Sequence, residues 1–158
     1  MENNCVREDI ALKDLYPVIT EVVAGGGEFH LYPRGISMLP TLVPNRDSVV
    51  LAAPDGIGRG DIILYRRKNG VFVLHRVVGK KRDGSFVLRG DNQIYNERGV
   101  LPEHIIAVVV RYTHKGKTVV RGSRAARRAA RFPAVRAFLL HSLAVVSRPF
   151  RRGKGGNA

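Results

Sequence analysis

Three side chains in this chain have the types needed to open an amide bond: Ser37, His75 and Asp91, in that order. Ser37 sits in Arg34-Gly-Ile-Ser-Met-Leu-Pro-Thr41, where Gly35 and Pro40 bracket it and predict a turn that presents the hydroxyl. Serine attacks a carbonyl only when a base takes its proton, and an unperturbed imidazole titrates close enough to neutrality to do so. His75 lies in the alternating run Val71-Phe-Val-Leu-His-Arg-Val77, on one face with Val71, Val73 and Val77, while Arg76 points the other way. Each residue alone has a plainer reading. A serine in such a turn is usually a turn residue. A histidine on an apolar face is more often a hydrogen-bonded core residue, and an aspartate after glycine often bonds nearby amides.

Four blocks taken together carry more. Ser37-Met-x-Pro-Thr41, Gly60-Asp-Ile-Ile63, His75-Arg-Val-Val-Gly79 and Gly90-Asp-Asn92 occur in the order in which they resemble the type I signal peptidase family of serine peptidases, over Phe29 to Val110. The resemblance implies a serine endopeptidase that cleaves a leader- or signal-type peptide through an acyl-enzyme, with Ser37 as nucleophile. Bacterial members hold a lysine where His75 stands, whereas the endoplasmic-reticulum and sporulation-type branch carries histidine there, so His75 is the implied base. In that branch an acid at the Asp91 block supports the base by fixing its tautomer, as in other Ser/His/Asp arrangements. The Ser37 amide is the natural oxyanion donor. Gly35 occupies the place where bacterial members often have a hydroxyl. The self-cleaving repressor peptidases share the Ser-Met block but use lysine as base, and His75 argues against them.

A peptide substrate is expected to add as a strand beside His30 to Arg34, which brings Tyr32 and Arg34 next to it. Ile36 and Met38 either floor a shallow pocket or belong to the core. The resemblance implies small substrate side chains just before the scissile bond. The alternative is a catalytically degenerate peptidase-fold module that binds peptide or an anionic membrane surface, a reading favoured by Gly35.

The elements that must position these residues follow from periodicity. Leu12, Leu15, Ile19 and Val22 predict a helix over 9–24, capped by Asp14 or kinked at Pro17 and stopped by Gly25-Gly-Gly27. Strands are expected at 28–32, 48–52, 61–65, 71–78, 86–89, 105–112 and, more weakly, 117–120. Asn69-Gly70 and Asp83-Gly84 read as hairpin turns. The fold class is therefore mainly β: a compact coiled or barrel-like body, of signal-peptidase type on the resemblance, with an N-terminal helix and C-terminal basic helices. The expected division is 1–27 for the helix and glycine linker, 28–121 for the peptidase body and 122–158 for a basic tail.

With 158 residues the chain holds one domain and an appendage. Its net charge of +14 is uneven: residues 121–158 contain ten Lys or Arg and no Asp or Glu. Such a tail calls for an anionic partner, and a short apolar helix over 134–147 between arginines suits either a membrane interface or docking on the body. Nucleic acid is the weaker alternative, because no recognised motif accompanies the charge. Cys5 is the single cysteine, and the remaining histidines lack metal-ligand spacing, so no cofactor or metal is expected. No apolar run reaches the length of a spanning helix and no secretory leader is evident, which predicts a cytoplasmic location, peripheral to the membrane at most.

Overall fold

The computed structural model describes residues 12–131. It contains a helix α1 (Leu12–Ala24) and eight strands: β1 (Phe29–Leu31), β2 (Val49–Ala52), β3 (Ile62–Arg66), β4 (Phe72–Lys80), β5 (Phe86–Arg89), β6 (Glu97–Val100), β7 (Ile105–His114) and β8 (Lys117–Val120). A 3-10 turn, Pro102–His104, precedes β7, and a helical segment begins at residue 124 and is described to 131. The protein is thus mainly β. All eight strands join one antiparallel sheet in the order β1-β2-β7-β3-β4-β5-β6, with β8 also on β7.

The long strand β7 is the hub. Val108 pairs with Ala52 of β2 and with Ile63 of β3, so these strands occupy its two edges. Arg111 and Tyr112 pair with both β2 and β8, which places β8 beyond β3 on the same edge. Such pairing demands a run of residues buried on both faces, and Ile105 to Val110 supplies one.

Alternation sorts the apolar residues into two cores. On one face Ile62, Leu64, Leu74, Val49, Leu51 and Val109 pack with Met38, Leu42 and the helix residues Ile19 and Val23. On the other lie Ile63, Tyr65, Val77, Phe86, Leu88 and Val108. Helix α1 passes through Pro17 instead of starting at Asp14, so Asp14 is not its cap. Burial of Ile19 and Val23, four apart on one stripe, offsets the amide lost at Pro17.

Both expected hairpins form, each as a five-residue connection whose fourth residue is a glycine of positive φ: Gly70 (83°) between β3 and β4, and Gly84 (83°) between β4 and β5. Strand β6 was not anticipated. Its Glu-Arg-Gly-Val sequence lacks alternation, and it forms as an edge strand whose backbone pairing among the described residues is with β5. Ser123 caps the following helix, accepting the Ala126 amide at 3.1 Å. The expected helix over 134–147, and the start of the first helix at 9–11, lie outside the described residues.

Candidate active site

Ser37 lies in the turn between β1 and β2, half-buried, between exposed Ile36 and buried Met38. The turn closes by Leu39 N–H to the Ile36 carbonyl (3.2 Å) and Leu42 N–H to the Met38 carbonyl (3.0 Å). Met38 and Leu42 anchor it in the α1-facing core. Met38 is therefore a core residue and does not floor an open pocket, whereas Ile36, Tyr32 and Arg34 are exposed.

The second piece is the Gly90-Asp91-Asn92 turn after β5. Asn92 N–H donates to the Ser37 carbonyl at 2.8 Å. A Cβ at position 90 would come within 2.6 Å of that same carbonyl, so only glycine lets the two turns meet. Asp91 is buried beside them. Its carboxylate accepts a fork from Arg76, Nε to Oδ1 at 2.8 Å and Nη2 to Oδ2 at 2.6 Å, together with the Thr41 hydroxyl. Arg76 Nη1 reaches on to the Gly60 carbonyl at 2.8 Å. Thr41, Asp91 and Arg76 thus clamp the serine turn to β4. The pair is almost wholly buried (side-chain exposure 4% and 1%), where the bidentate, charge-assisted geometry counts most.

This corrects one expectation: the Asp91 carboxylate is bonded to Arg76 and Thr41 and makes no hydrogen bond to His75. The physical reason is charge, because a buried guanidinium offers two parallel donors to a carboxylate where a neutral imidazole offers one. Asp61, in the Gly60–Ile63 block, accepts Gly58 N–H at 2.9 Å and Arg121 at 2.7 Å and is structural.

The partner of His75 is Tyr65. On β4 the imidazole faces the second core, 1% exposed, with Nδ1 3.2 Å from the Tyr65 hydroxyl. That hydroxyl donates to Glu97 Oε2 at 2.6 Å, and Arg67 donates to both Glu97 oxygens, with Nη2 at 2.7 Å. Register brings them together: β3 and β4 pair Ile63 with His75 and Tyr65 with Val73, which makes Tyr65 the diagonal neighbour of His75 on one face. Strand β6 then presents Glu97 opposite Leu88 of β5.

Protonation follows from this chain. Burial pushes the Glu97 carboxyl up, but hydrogen bonds from Arg67 and Tyr65 outweigh it and hold it below its ordinary range, so Glu97 is a pure acceptor. Tyr65, whose own pKa is raised mainly by burial and next by Glu97, keeps its proton and gives it to Glu97. Its oxygen can then only accept from His75, which sets the neutral ring as the Nδ1–H tautomer with a lone pair on Nε2. Burial lowers the His75 pKa to about 4; the through-space charges of Glu97 and, more weakly, Asp91 pull the other way. At neutral pH the imidazole is an uncharged base.

The structure thus brings Ser37 to Asp91 through the Asn92 amide, and Asp91 to Arg76, the neighbour of His75. It places no hydrogen bond between the Ser37 hydroxyl and the His75 ring. Sequence reasoning missed Tyr65, Glu97 and the role of Thr41. Strand parity and the hairpin loop gave a signal for Tyr65 alone. No protein-family model matches this chain, and no curated protein matches it closely enough to count as a relative.

Proposed function

We propose that this chain is a serine endopeptidase of the signal-peptidase type, with a coiled β body of that kind, acting on a leader- or signal-type peptide. The observation that carries the reading is the His75–Tyr65–Glu97 chain, which holds a buried imidazole neutral with its lone pair on Nε2. In the reaction Ser37 Oγ attacks the scissile carbonyl carbon as His75 Nε2 takes its proton. The C–N bond then breaks and the same proton goes to the leaving amine. Water next gives a proton to His75 and its oxygen to the acyl carbon, and ester cleavage returns the proton to Ser37. Catalysis requires the Ser37 hydroxyl to come within hydrogen-bond reach of His75 Nε2, while the serine turn is anchored in the α1-facing core and the imidazole faces the second core.

Tyr65 and Glu97 are positioning residues here, and Asp91 with Arg76 positions the serine turn. The Ser37 amide is the oxyanion donor. The substrate enters as a strand along β1, whose outer edge is unpaired among the described residues, next to Tyr32 and Arg34. The basic stretch 122–158 holds the enzyme peripherally at an anionic membrane surface, and among the described residues no helix is long and apolar enough to cross a membrane. Liposome sedimentation checks this last point.

Incubation of the full chain with a mixed peptide library, read by mass spectrometry, tests the activity. Cleavage by the wild type and none by Ser37→Ala is expected. A second reading, a peptide-binding module without catalysis, is favoured by the missing Ser37–His75 hydrogen bond. Peptide binding without any cleavage would establish it.

A further inference from the structure

On the Arg76 side of the sheet lies a cleft of about 1010 Å³, walled by β3–β6 and by the helical segment after residue 123. Strand parity gathers cations there. Arg89 stands opposite Arg76 on adjacent strands, and Arg98 of β6 stands opposite Val87. Eight Lys or Arg side chains line the cleft against one carboxylate, Asp61. Arg76 is answered by Asp91 and Arg121 by Asp61. The remaining six, Arg59, Lys81, Arg89, Arg98, Arg127 and Arg131, have no carboxylate partner among the described residues. Like charges crowded into a concavity repel one another and focus a positive field on whatever enters.

Two further features define the occupant. The floor is apolar, with Ile62, Val78, Val87 and Val109. Tyr112 also lines the cleft, with its hydroxyl buried beside Arg76. A ligand that alternates carboxylates with apolar groups matches both the cationic rim and the apolar floor. Nucleic acid fits less well. Tyr112 is the sole aromatic lining residue and is 5% exposed, so there is no open platform on which bases could stack. A planar lipid surface does not enter a concavity.

We infer that this cleft binds an acidic, extended peptide segment, its carboxylates meeting Arg59, Arg89 and Arg98 and its apolar side chains lying on the valine floor. Arg76, in the cleft wall, bonds Asp91, whose neighbour Asn92 bonds Ser37, so the cleft wall is joined to the serine turn through two hydrogen-bonded steps. The inference deepens the peptidase reading by giving its substrate an acidic recognition segment, and it rests on that reading only for calling the peptide a substrate.

Binding is tested on full-length Ser37→Ala, so that absent cleavage and absent binding are separate results. The probe is a short fluorescent peptide of alternating glutamate and leucine, read by anisotropy at physiological salt. The double variant Arg59→Glu/Arg98→Glu changes two exposed cleft residues. Lys13→Glu/Lys117→Glu makes the same charge change at exposed residues that line no part of the cleft and leaves the basic tail as it is. Thermal melts confirm that both fold. The cleft variant should weaken binding at least about tenfold and the outside variant less than about twofold, because only the cleft pair meets the peptide carboxylates directly. Equal losses would assign binding to overall charge and overturn the inference. So would no binding of the glutamate peptide, or tighter cleft-dependent binding of an oligothymidylate or of phosphatidylglycerol vesicles.

Discussion

Arg76 and His75 are adjacent on β4 and leave it on opposite faces, and each takes a different carboxylate. Arg76 forks Asp91 directly, and His75 reaches Glu97 through the Tyr65 hydroxyl. One acid therefore holds the serine turn, and the other sets the protonation of the base. Damage to each should appear in a different measurement.

Glu97→Gln should impair chemistry more than stability. Its amide can donate to Tyr65, which frees the phenol proton to turn toward His75 and moves the ring proton to Nε2. Acylation of Ser37 by a serine-directed probe should slow about a hundredfold, and Tyr65→Phe should slow it about tenfold. Long-range proton–nitrogen NMR on the wild type should show the Nδ1–H tautomer of His75 at neutral pH. An Nε2–H ring would refute the relay.

Asp91→Asn should act first on the fold. It strips the Arg76 guanidinium of its charge partner in a site where both side chains are nearly inaccessible. Breaking one half of a buried pair costs about 3–5 kcal/mol. Urea unfolding is the measurement. The His75 tautomer should be unchanged in this variant, because Tyr65 and Glu97 remain.

Stability should fall in acid with a His75 signature. The folded-state pKa near 4 lies below the ordinary 6.5, so between these values the unfolded chain binds the extra proton. The stabilisation is complete above about pH 6.5 and drains away as pH falls toward 4, by ~3 kcal/mol at most. Glu97, also depressed, adds to the loss lower down, through its own folded-state pKa. His75→Gln should flatten the slope between pH 6.5 and 4 and leave the lower one in place. Probe labelling should likewise persist below pH 6 until local unfolding intervenes.

Gly35→Ser should raise reactivity. A Cβ at Gly35 meets nothing within 4 Å, and the backbone there is not in the left-handed region, so serine fits without strain. A hydroxyl two residues before Ser37 would add an oxyanion donor; a fully aligned one is worth about a hundred- to a thousandfold, and one grafted into this turn a part of that. A gain of about tenfold in acylation rate with an unchanged melting temperature is the expected result.

Much of this molecule was legible in its residues. Strands β4 and β5 follow from apolar alternation and β3 and β7 from short continuous apolar runs, and Gly70 and Gly84 mark the hairpins of β3–β4 and β4–β5. The opposite facing of His75 and Arg76 follows from parity. The site was less so. Asp91 suits an imidazole as readily as a guanidinium on paper, and only the packing of the 90–92 turn against Ser37 and Thr41 decides for Arg76. Tyr65 reads as the end of a core strand, and Glu97 as a loop residue, because β6 has no alternation and gains its strand form from pairing with β5. Long-range pairing of that sort leaves no trace in local sequence.

The direct test of the central claim is acylation of Ser37 by a fluorophosphonate probe, located by peptide mass mapping in the folded wild type, His75→Ala and Ser37→Ala. The account predicts a single adduct on Ser37 in the wild type, and no adduct in either variant. An absence of labelling across pH 6 to 9, or labelling that survives loss of the imidazole, would contradict it.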